Sequence, residues 1–565
     1  MTRSIIDPIT RIEGHLRVEM EVNDGVVTDA WVSGNCFRGM ELVVQDRTPQ
    51  DAAQIVQRIC GVCPVSHTHA STIAAEKAFG ITISNNARIV RNLIEGAQFL
   101  HSHILWFYNL CALDYVNPLN ALDANVADLY DIAGEYYTTN DGESITSTNT
   151  DFVALKEHLQ KFAANGQLSI FSGAWFEADK GKAYKLIPEL DLVCTAHYLE
   201  ALKMQARASE ICALLGGKMP HVMTITPGGT SFYPTESKLD DLLFMAKEIN
   251  QWVKTTMIPD TLVLAQYYPE VLKFGKGVGR YIAWGVFEGP DWPYGGNYTE
   301  QMINRYLPMG VLDEKLNVSD VQEDLITEYM GHSWYKGDDT YTSPYFVTEP
   351  DFTEYNVDDR YTWVKCPAYD GKPMEAGGFS RILAAYKRGV PFIKEQVDDM
   401  LVKLGAKKGD LSVLQNTLGR TATRQIETLY ISELMVMWAE ELMAAIAEGE
   451  SDYFREPETT TGAGTGFWEA PRGALYHSEK VTGNSIDGYQ IIIPSTWNLA
   501  PVNADGVHGP MESALIGDPV EDIEMPINAL RTVHSFDPCT ACAVHITEPK
   551  TGKTFKTVTN PWGVK

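Results

Sequence analysis

Two short stretches hold the residues best suited to chemistry. "RICGVCPVSH" runs from Arg58 to His67, and "SFDPCTACAVH" from Ser535 to His545. Each carries two cysteines with two residues between them, followed by a histidine: Cys60, Cys63 and His67 in one, Cys539, Cys542 and His545 in the other. One such pair serves a zinc half-site or a redox dithiol. Two converging pairs give four soft, anionic sulfurs, which suit zinc, iron–sulfur, copper(I) or a thiolate-rich nickel centre. The ligand types alone do not choose among these. Structural zinc is disfavoured by the separation along the chain, and a thioredoxin-like dithiol accounts for one pair only.

The other cysteines are Cys36, Cys111, Cys194, Cys212 and Cys366. They show no iron–sulfur spacing and read as small buried apolar residues. The total of nine is odd and sparse for a disulfide framework. No Gly-rich nucleotide fingerprint is evident. A redox metal here therefore has no electron wiring on its own chain, and electrons must leave through a partner.

A net charge of −28 (46 basic against 74 acidic residues) argues against nucleic acid and against an anionic membrane face. With 44% hydrophobic and 21% charged residues, the composition is that of a soluble globular protein, and 565 residues suffice to seal a site from water. The opening "MTRSIIDPITRIEG" has no signal-peptide core, and no apolar run reaches membrane-spanning length. If the protein is exported, a partner carries the address.

The elements that must position the cysteines are partly readable. Leu16, Val18, Met20 and Val22 alternate with polar residues, and Asn23-Asp24-Gly25 makes a hairpin turn. Helical spacing runs through 86–113, 192–215, which ends at Gly216-Gly217, and 420–447. These predict a buried bundle. The aromatic, acidic stretch 330–371 has no period and reads as an irregular surface excursion. Glu456 to Gly466, "EPETTTGAGTG", reads as a breaker-rich loop. A short strand is expected at "QIIIP", after Tyr489. The resulting fold class is α+β, mostly helical, with small peripheral sheets. The expected organisation is a β-rich region at 1–50, a helical body at 51–329, an excursion at 330–376, a bundle segment at 377–450, a site-closing region at 451–545 and an extension at 546–565.

The motifs "RIEGHLR" (Arg11 to Arg17), "FRGME" (Phe37 to Glu41), "RICGVCPVSH", "EAPRG" (Glu469 to Gly473), "PSTWN" (Pro494 to Asn498) and "DPCTACAVH" occur in this order. Together they make the chain resemble, from about Asp7 to His545, the large catalytic subunit of a nickel–iron hydrogenase. The resemblance implies that Cys60, Cys63, Cys539 and Cys542 bind nickel. Cys63 and Cys542 would also bridge to an iron bearing cyanide and carbonyl ligands, a Ni–Fe(CN)2(CO) centre. Glu41, the Ile491 carbonyl and His545 would hold Mg2+ or Fe2+. His67 would hydrogen-bond a bridging thiolate. Pro471, Arg472 and Ser495 would line the diatomic ligands, with Asp114 and Asp537 orienting Arg472.

For H2 cleavage, Cys539 is the expected first proton acceptor and Glu13 the first relay carboxylate. Arg472 serves electrostatically, because arginine is almost never deprotonated. Each residue also has an ordinary reading: Glu41 as a solvated carboxylate, His67 and His545 as core histidines, Glu13 as a partner of Arg11, and Arg472 in a buried pair with Asp114 or Asp537. The implied partners are an iron–sulfur small subunit, maturation chaperones, a membrane cytochrome reached through the small subunit, and a protease. The protease would remove the twenty residues after His545. The implied location is membrane-associated or periplasmic through the small subunit's export signal, with cytoplasmic as the alternative. Some relatives carry selenocysteine where this chain has Cys539. A non-catalytic relative within a quinone reductase and a structural zinc protein are the rival readings.

Overall fold

The computed structural model describes residues 2–137, 151–171, 182–291, 298–337, 340–341 and 349–540. At the N-terminus, Thr2–Ile6 (β1), Leu16–Asn23 (β2) and Val26–Gly34 (β3) form an antiparallel sheet. Asn23 pairs with Val26 across a two-residue turn in which Asp24 and Gly25 both have positive φ, 50° and 77°. That is the geometry whose twist suits a tight hairpin. Leu16, Val18 and Met20 bury against Met511, Leu530 and Val533, so the first and last parts of the chain share a core.

Helices build the larger core. They include Pro64–Phe79 (α1), Asn85–Leu105 (α2), Pro188–Gly216 (α3), Glu236–Trp252 (α4), Gly378–Arg388 (α5) and Thr417–Ala447 (α6). The expected bundle is present, with ends set by local chemistry. Ser84 caps α2 by accepting from Ala87 N–H, and Asn416 caps α6 by accepting from Gly419 N–H. Gly217, at φ 82°, closes α3. The helix expected to reach residue 113 instead ends at Leu105 and continues as a π-helical turn, Trp106–Cys111. Where α2 crosses α6, a Cβ on Gly96 would lie 2.5 Å from Met435 Sδ, so any larger residue there would make the Met435 side chain move.

Two expectations are corrected. Ile326–Tyr329 (β4), Thr340–Tyr341 (β5) and Cys366–Tyr369 (β6) form a sheet in the order β5-β4-β6. Trp334, Tyr335, Tyr361 and Val364 around it are buried, so 330–376 is not simply an excursion over the surface. Several of its aromatic residues pack inward without needing a repeat, as in the Phe37–Trp363 stack at 4.8 Å.

Likewise "GAGTG" is strand rather than loop. Gly462–Ala470 (β7), Gly473–Thr482 (β8) and Ser485–Ile492 (β9) form an antiparallel sheet. A Cβ on Gly462, Gly464 or Gly466 would lie 2.0–2.2 Å from the carbonyl oxygens of Ala78, Ala74 and Ala70. Glycine at every second strand position meets alanine at every fourth helix position, and α1 therefore lies directly on the sheet. After β9, Pro494–Asn498 forms a short helix. Ile527–Ser535 (α7) then leads to the second cysteine motif.

Candidate metal centre and its surroundings

The two cysteine motifs meet. Cys60, Cys63 and Cys539 are buried, and their sulfurs all lie within 4.8 Å of one another. Cys60 Sγ and Cys539 Sγ are 3.4 Å apart. Cys542 and His545 lie outside the described residues, as does the extension after them. Cys60 follows the 3-10 turn Val56–Ile59 in extended conformation, and Cys63 immediately precedes α1 with Pro64 in its first turn. Cys60 Sγ accepts from the N–H groups of Val62 and Cys63 at 3.2 and 3.3 Å. Backbone donors and a helix N-terminus both favour thiolate.

Cys539 is delivered from the other end of the chain. Its N–H donates to Ser495 Oγ at 3.0 Å, and Thr540 N–H donates to Glu13 O at 2.8 Å. This short parallel bridge brings the Glu13 side chain to the thiol, and Cys539 Sγ donates to Glu13 Oε2 at 3.1 Å. Arg11 takes no part in holding that carboxylate. Its guanidinium goes to Leu110 O at 2.6 Å and Asp114 Oδ1 at 2.5 Å.

Asp114 is therefore not a partner of Arg472, which corrects one of the two pairings left open. It binds Arg11 and His534 Nδ1, the latter at 2.6 Å, while His534 Nε2 lies 2.9 Å from Thr10 O. Burial works against the Asp114 charge, yet Arg11 and His534 hold its carboxyl down at about 2. The cluster ties the arm bearing Glu13 to α7, one turn ahead of Cys539.

Arg472 sits at the tip of the β7–β8 hairpin, where Ala470 pairs with Gly473 and Pro471-Arg472 form the turn. It donates to Asp537 twice, to Oδ1 at 2.8 Å and to the main-chain O at 3.1 Å. Burial opposes its charge, but Asp537 and the thiols of Cys539, Cys63 and Cys60 hold its pKa above the ordinary value. A guanidinium so placed favours its charged form, which suits an electrostatic role. Pro471 O accepts from Arg381 Nη2 at 2.9 Å, fixing the same turn.

Sequence reasoning missed Arg424, which donates to Asp537 Oδ2 at 2.9 Å, so two arginines share one carboxylate. Its signal was available: Arg420, Arg424 and Glu427 repeat at helical spacing inside an apolar stretch.

His67 is buried, and burial pushes its imidazole down to about 4, so it is neutral. Nδ1 faces His477 Nε2 at 3.2 Å, while Nε2 has no partner among the described residues. No hydrogen bond from His67 to a described thiol is found. Glu41 Oε1 accepts from Ile491 N–H at 3.0 Å and from Lys365 Nζ at 3.2 Å. Glu41 thus lies beside the main chain of Ile491, and Lys365 is a further group the sequence did not announce. Burial raises the Glu328 carboxyl to about 7. Glu328 Oε1 and Gln490 Oε1 are buried without partners among the described residues.

Three close, buried thiols suit a soft metal, with a guanidinium to balance their charge and a carboxylate within reach of one sulfur. The family model for nickel-dependent hydrogenases matches residues 38–545, and a second, HoxL-like, matches residues 4–33. The hydrogenase-2 large chain of Escherichia coli (strain K12) is 35% identical, covering 97% of each chain. The uptake hydrogenase large subunit of Bradyrhizobium diazoefficiens is 33% identical over 97% of this chain and 96% of that one. Among solved structures, the oxidised Ni-Fe-Se hydrogenase of D. vulgaris Hildenborough superposes with a TM-score of 0.77 at 32% identity, covering 96% of this chain and 100% of the other. The [NiFeSe]-hydrogenase of Dm. baculatum gives 0.75 at 32% identity with the same coverage.

Proposed function

The chain belongs to the nickel-dependent hydrogenase family; it is the catalytic subunit of an enzyme acting on H2, and from that premise we propose how its residues divide the work. The observation that carries the proposal is the meeting of Cys60, Cys63 and Cys539 with Glu13 against Cys539. Cys60, Cys63, Cys539 and Cys542 would hold a nickel–iron centre. When bound, that centre supplies the electrophile that polarises H2. Cys539 Sγ is placed to take the proton, and Glu13 Oε2 to receive it from sulfur. A carboxylate at hydrogen-bond distance is the geometry proton transfer needs. Arg472, fixed by Asp537 and the Pro471 turn, keeps a positive charge facing the thiolates and excludes water from that side. Ser495 holds the Cys539 backbone. Asp114, through Arg11 and His534, keeps the Glu13 arm in register with Cys539. His67 offers its unpartnered Nε2 as a donor to a thiolate.

A second ion, Mg2+ or Fe2+, would be held by Glu41, the main chain at Ile491 and His545. The donor set fits a hydrated hard cation, because the unpartnered oxygens of Glu328 and Gln490 would accept from its water ligands. The partner is an iron–sulfur small subunit, supported by the large-chain and large-subunit names of the relatives. Maturation chaperones, a protease cutting after His545 and a membrane cytochrome complete the inferred set. H2 uptake is the inferred direction, supported by relatives named uptake hydrogenases. Location follows the small subunit, membrane-associated or periplasmic; among the described residues no helix is long and apolar enough to cross a membrane.

Infrared spectra of the purified, matured complex under H2, read with its metal content, test this function. Nickel together with cyanide and carbonyl bands is expected. One zinc per chain with no such bands would instead mark a structural zinc protein, and loss of nickel alone a non-catalytic relative.

A further inference from the structure

A cavity of about 200 Å3 opens beside α1 and α2, lined by His69, Glu76, Lys77, Arg88, Arg91 and Glu288 among others. Its charges are already matched. Arg91 pairs with Glu76 at 2.6 Å, Arg88 with Glu441 at 2.6 Å, and Glu288 with Arg305 at 3.2 Å. Lys77 donates to Gln301 at 2.8 Å and lies 4.2 Å from the centre of the Tyr298 ring. A balanced polar wall holds water rather than a fixed ion.

At the cavity's inner wall His69 is only 1% exposed, and its Nδ1 lies 3.2 Å from Glu95 Oε2. Glu95 Oε1 in turn accepts from Ser66 Oγ at 2.5 Å and from Gln98 Nε2 at 3.1 Å. Gln98 also donates to Ser66 Oγ at 2.7 Å, and its Oε1 accepts from Val65 N–H at 2.6 Å. A continuous set of exchangeable groups thus runs from the cavity to the first turn of α1, the turn that Cys63 opens.

We propose that the cavity and the His69–Glu95–Ser66 chain form a second proton outlet, independent of Glu13. This rests on the hydrogenase reading. A proton arriving at Ser66 passes to Glu95 Oε1, Glu95 Oε2 releases its proton to His69 Nδ1, and the imidazole gives its Nε2 proton to water in the cavity. Only O–H and N–H bonds form and break, and no electrons move. Ser66 stands three residues after Cys63 in that first turn, and the outlet requires one water to carry the proton from the Cys63 side to Ser66 Oγ.

The electrostatics suit the role. Burial raises the Glu95 carboxyl to about 8, against the lowering effect of Ser66 and of Arg381 on α5. Burial, Arg91 and Arg305 keep His69 neutral. On α3 the nearby group is the Cys212 thiol, raised first by burial and then by Glu95. On α6, Glu427 is held by Arg381 and His103. From β7, the Trp468 ring packs on His69 at 4.0 Å. Glu95 is thus a protonated acid facing a neutral base, and only a concerted relay, with Ser66 supplying Glu95 as Glu95 gives to His69 and His69 gives to water, avoids a buried charge pair.

The test uses the matured two-subunit enzyme. Glu95→Gln should leave nickel content and the diatomic infrared bands unchanged. In a Glu13→Gln background, where the first outlet is closed, adding Glu95→Gln should lower H2 oxidation by about tenfold or more, with Glu95→Asp restoring it. In the metal-free full-length chain, the protonated-carboxyl infrared intensity that disappears on titration through about pH 8 comes from Glu95 together with Glu479, and it should drop by one carboxyl in Glu95→Gln. The outlet is overturned if the double variant keeps the Glu13→Gln rate, if Glu95→Gln leaves that infrared intensity unchanged, or if Glu95→Gln loses nickel, which marks a structural role. A parent enzyme without nickel would sink the hydrogenase reading itself, and the carboxyl titration of the metal-free chain would still report on Glu95.

Discussion

Cys539 Sγ donates to Glu13 Oε2 at 3.1 Å, joining two residues 526 positions apart. The contact depends on a backbone bridge between the N-terminal arm and the segment after α7, so fold and proton path are one arrangement. Glu13→Gln preserves shape and a hydrogen bond but removes the titrating group. We expect H2 oxidation to fall about a hundredfold while nickel content and infrared bands stay as in the parent. A parent-like rate would remove Glu13 from the path.

Asp537 is the only described hydrogen-bond acceptor linking the Arg424 and Arg472 side chains. Asp537→Ala leaves two buried guanidinium groups facing each other. Breaking a buried ion pair in this way costs about 3–5 kcal/mol. Denaturant unfolding of the full-length chain measures it, and Arg472→Lys, which keeps the charge, should cost less.

The glycines of β7 set how closely α1 approaches. In Gly466→Ala the new Cβ would lie 2.0 Å from Ala70 O, and α1 must shift, carrying Cys63 with it. Overpacking of this kind costs about 1–3 kcal/mol, and nickel bound per chain should drop with stability. Gly134→Ala, in the helix Val126–Tyr136, is the control: nothing among the described residues lies within 4 Å of its Cβ, so nickel content should hold and stability should not fall.

Much of the site was legible because its ligands come in short motifs with unusual spacing. Cys60, Cys63 and Cys539 stand out by type and spacing, Glu13 and Arg472 come from the motifs that carry the family resemblance, and the structure brings these five together. Pairing was less legible. Asp114 could have served Arg472 as well as Asp537, and only the three-dimensional path of α7 sends it to Arg11 and His534. The strand "GAGTG" was hidden because glycine marks turns far more often than close helix–sheet packing. The alternation of glycines against alanines on α1 becomes meaningful once the two elements are known to touch. Lys365 and Arg424 were missed because a single basic residue announces nothing about burial, although three charges at helical spacing on α6 did hold a clue.

Glu479 is a buried carboxyl with neither oxygen partnered among the described residues, and burial raises it from 4.5 to about 8. The native state keeps a proton that the unfolded chain releases above its ordinary pKa. The contribution of Glu479 to stability must therefore fall as pH rises from about 4.5 to about 8 and level off beyond. Glu479→Leu removes this dependence. Denaturant unfolding at pH 5 and pH 8 should show the variant gaining on the parent at the higher pH. An equal difference at both would show that Glu479 is ionised in the native state.

The central claim is that sulfurs from both cysteine motifs surround one nickel. Nickel X-ray absorption of the matured complex measures it directly. The account predicts a nickel bound by four sulfurs with an iron neighbour, and fewer nickel–sulfur contacts in any Cys539→Ser chain that retains nickel. A nickel shell of nitrogen and oxygen donors, or one unchanged by that substitution, would contradict it.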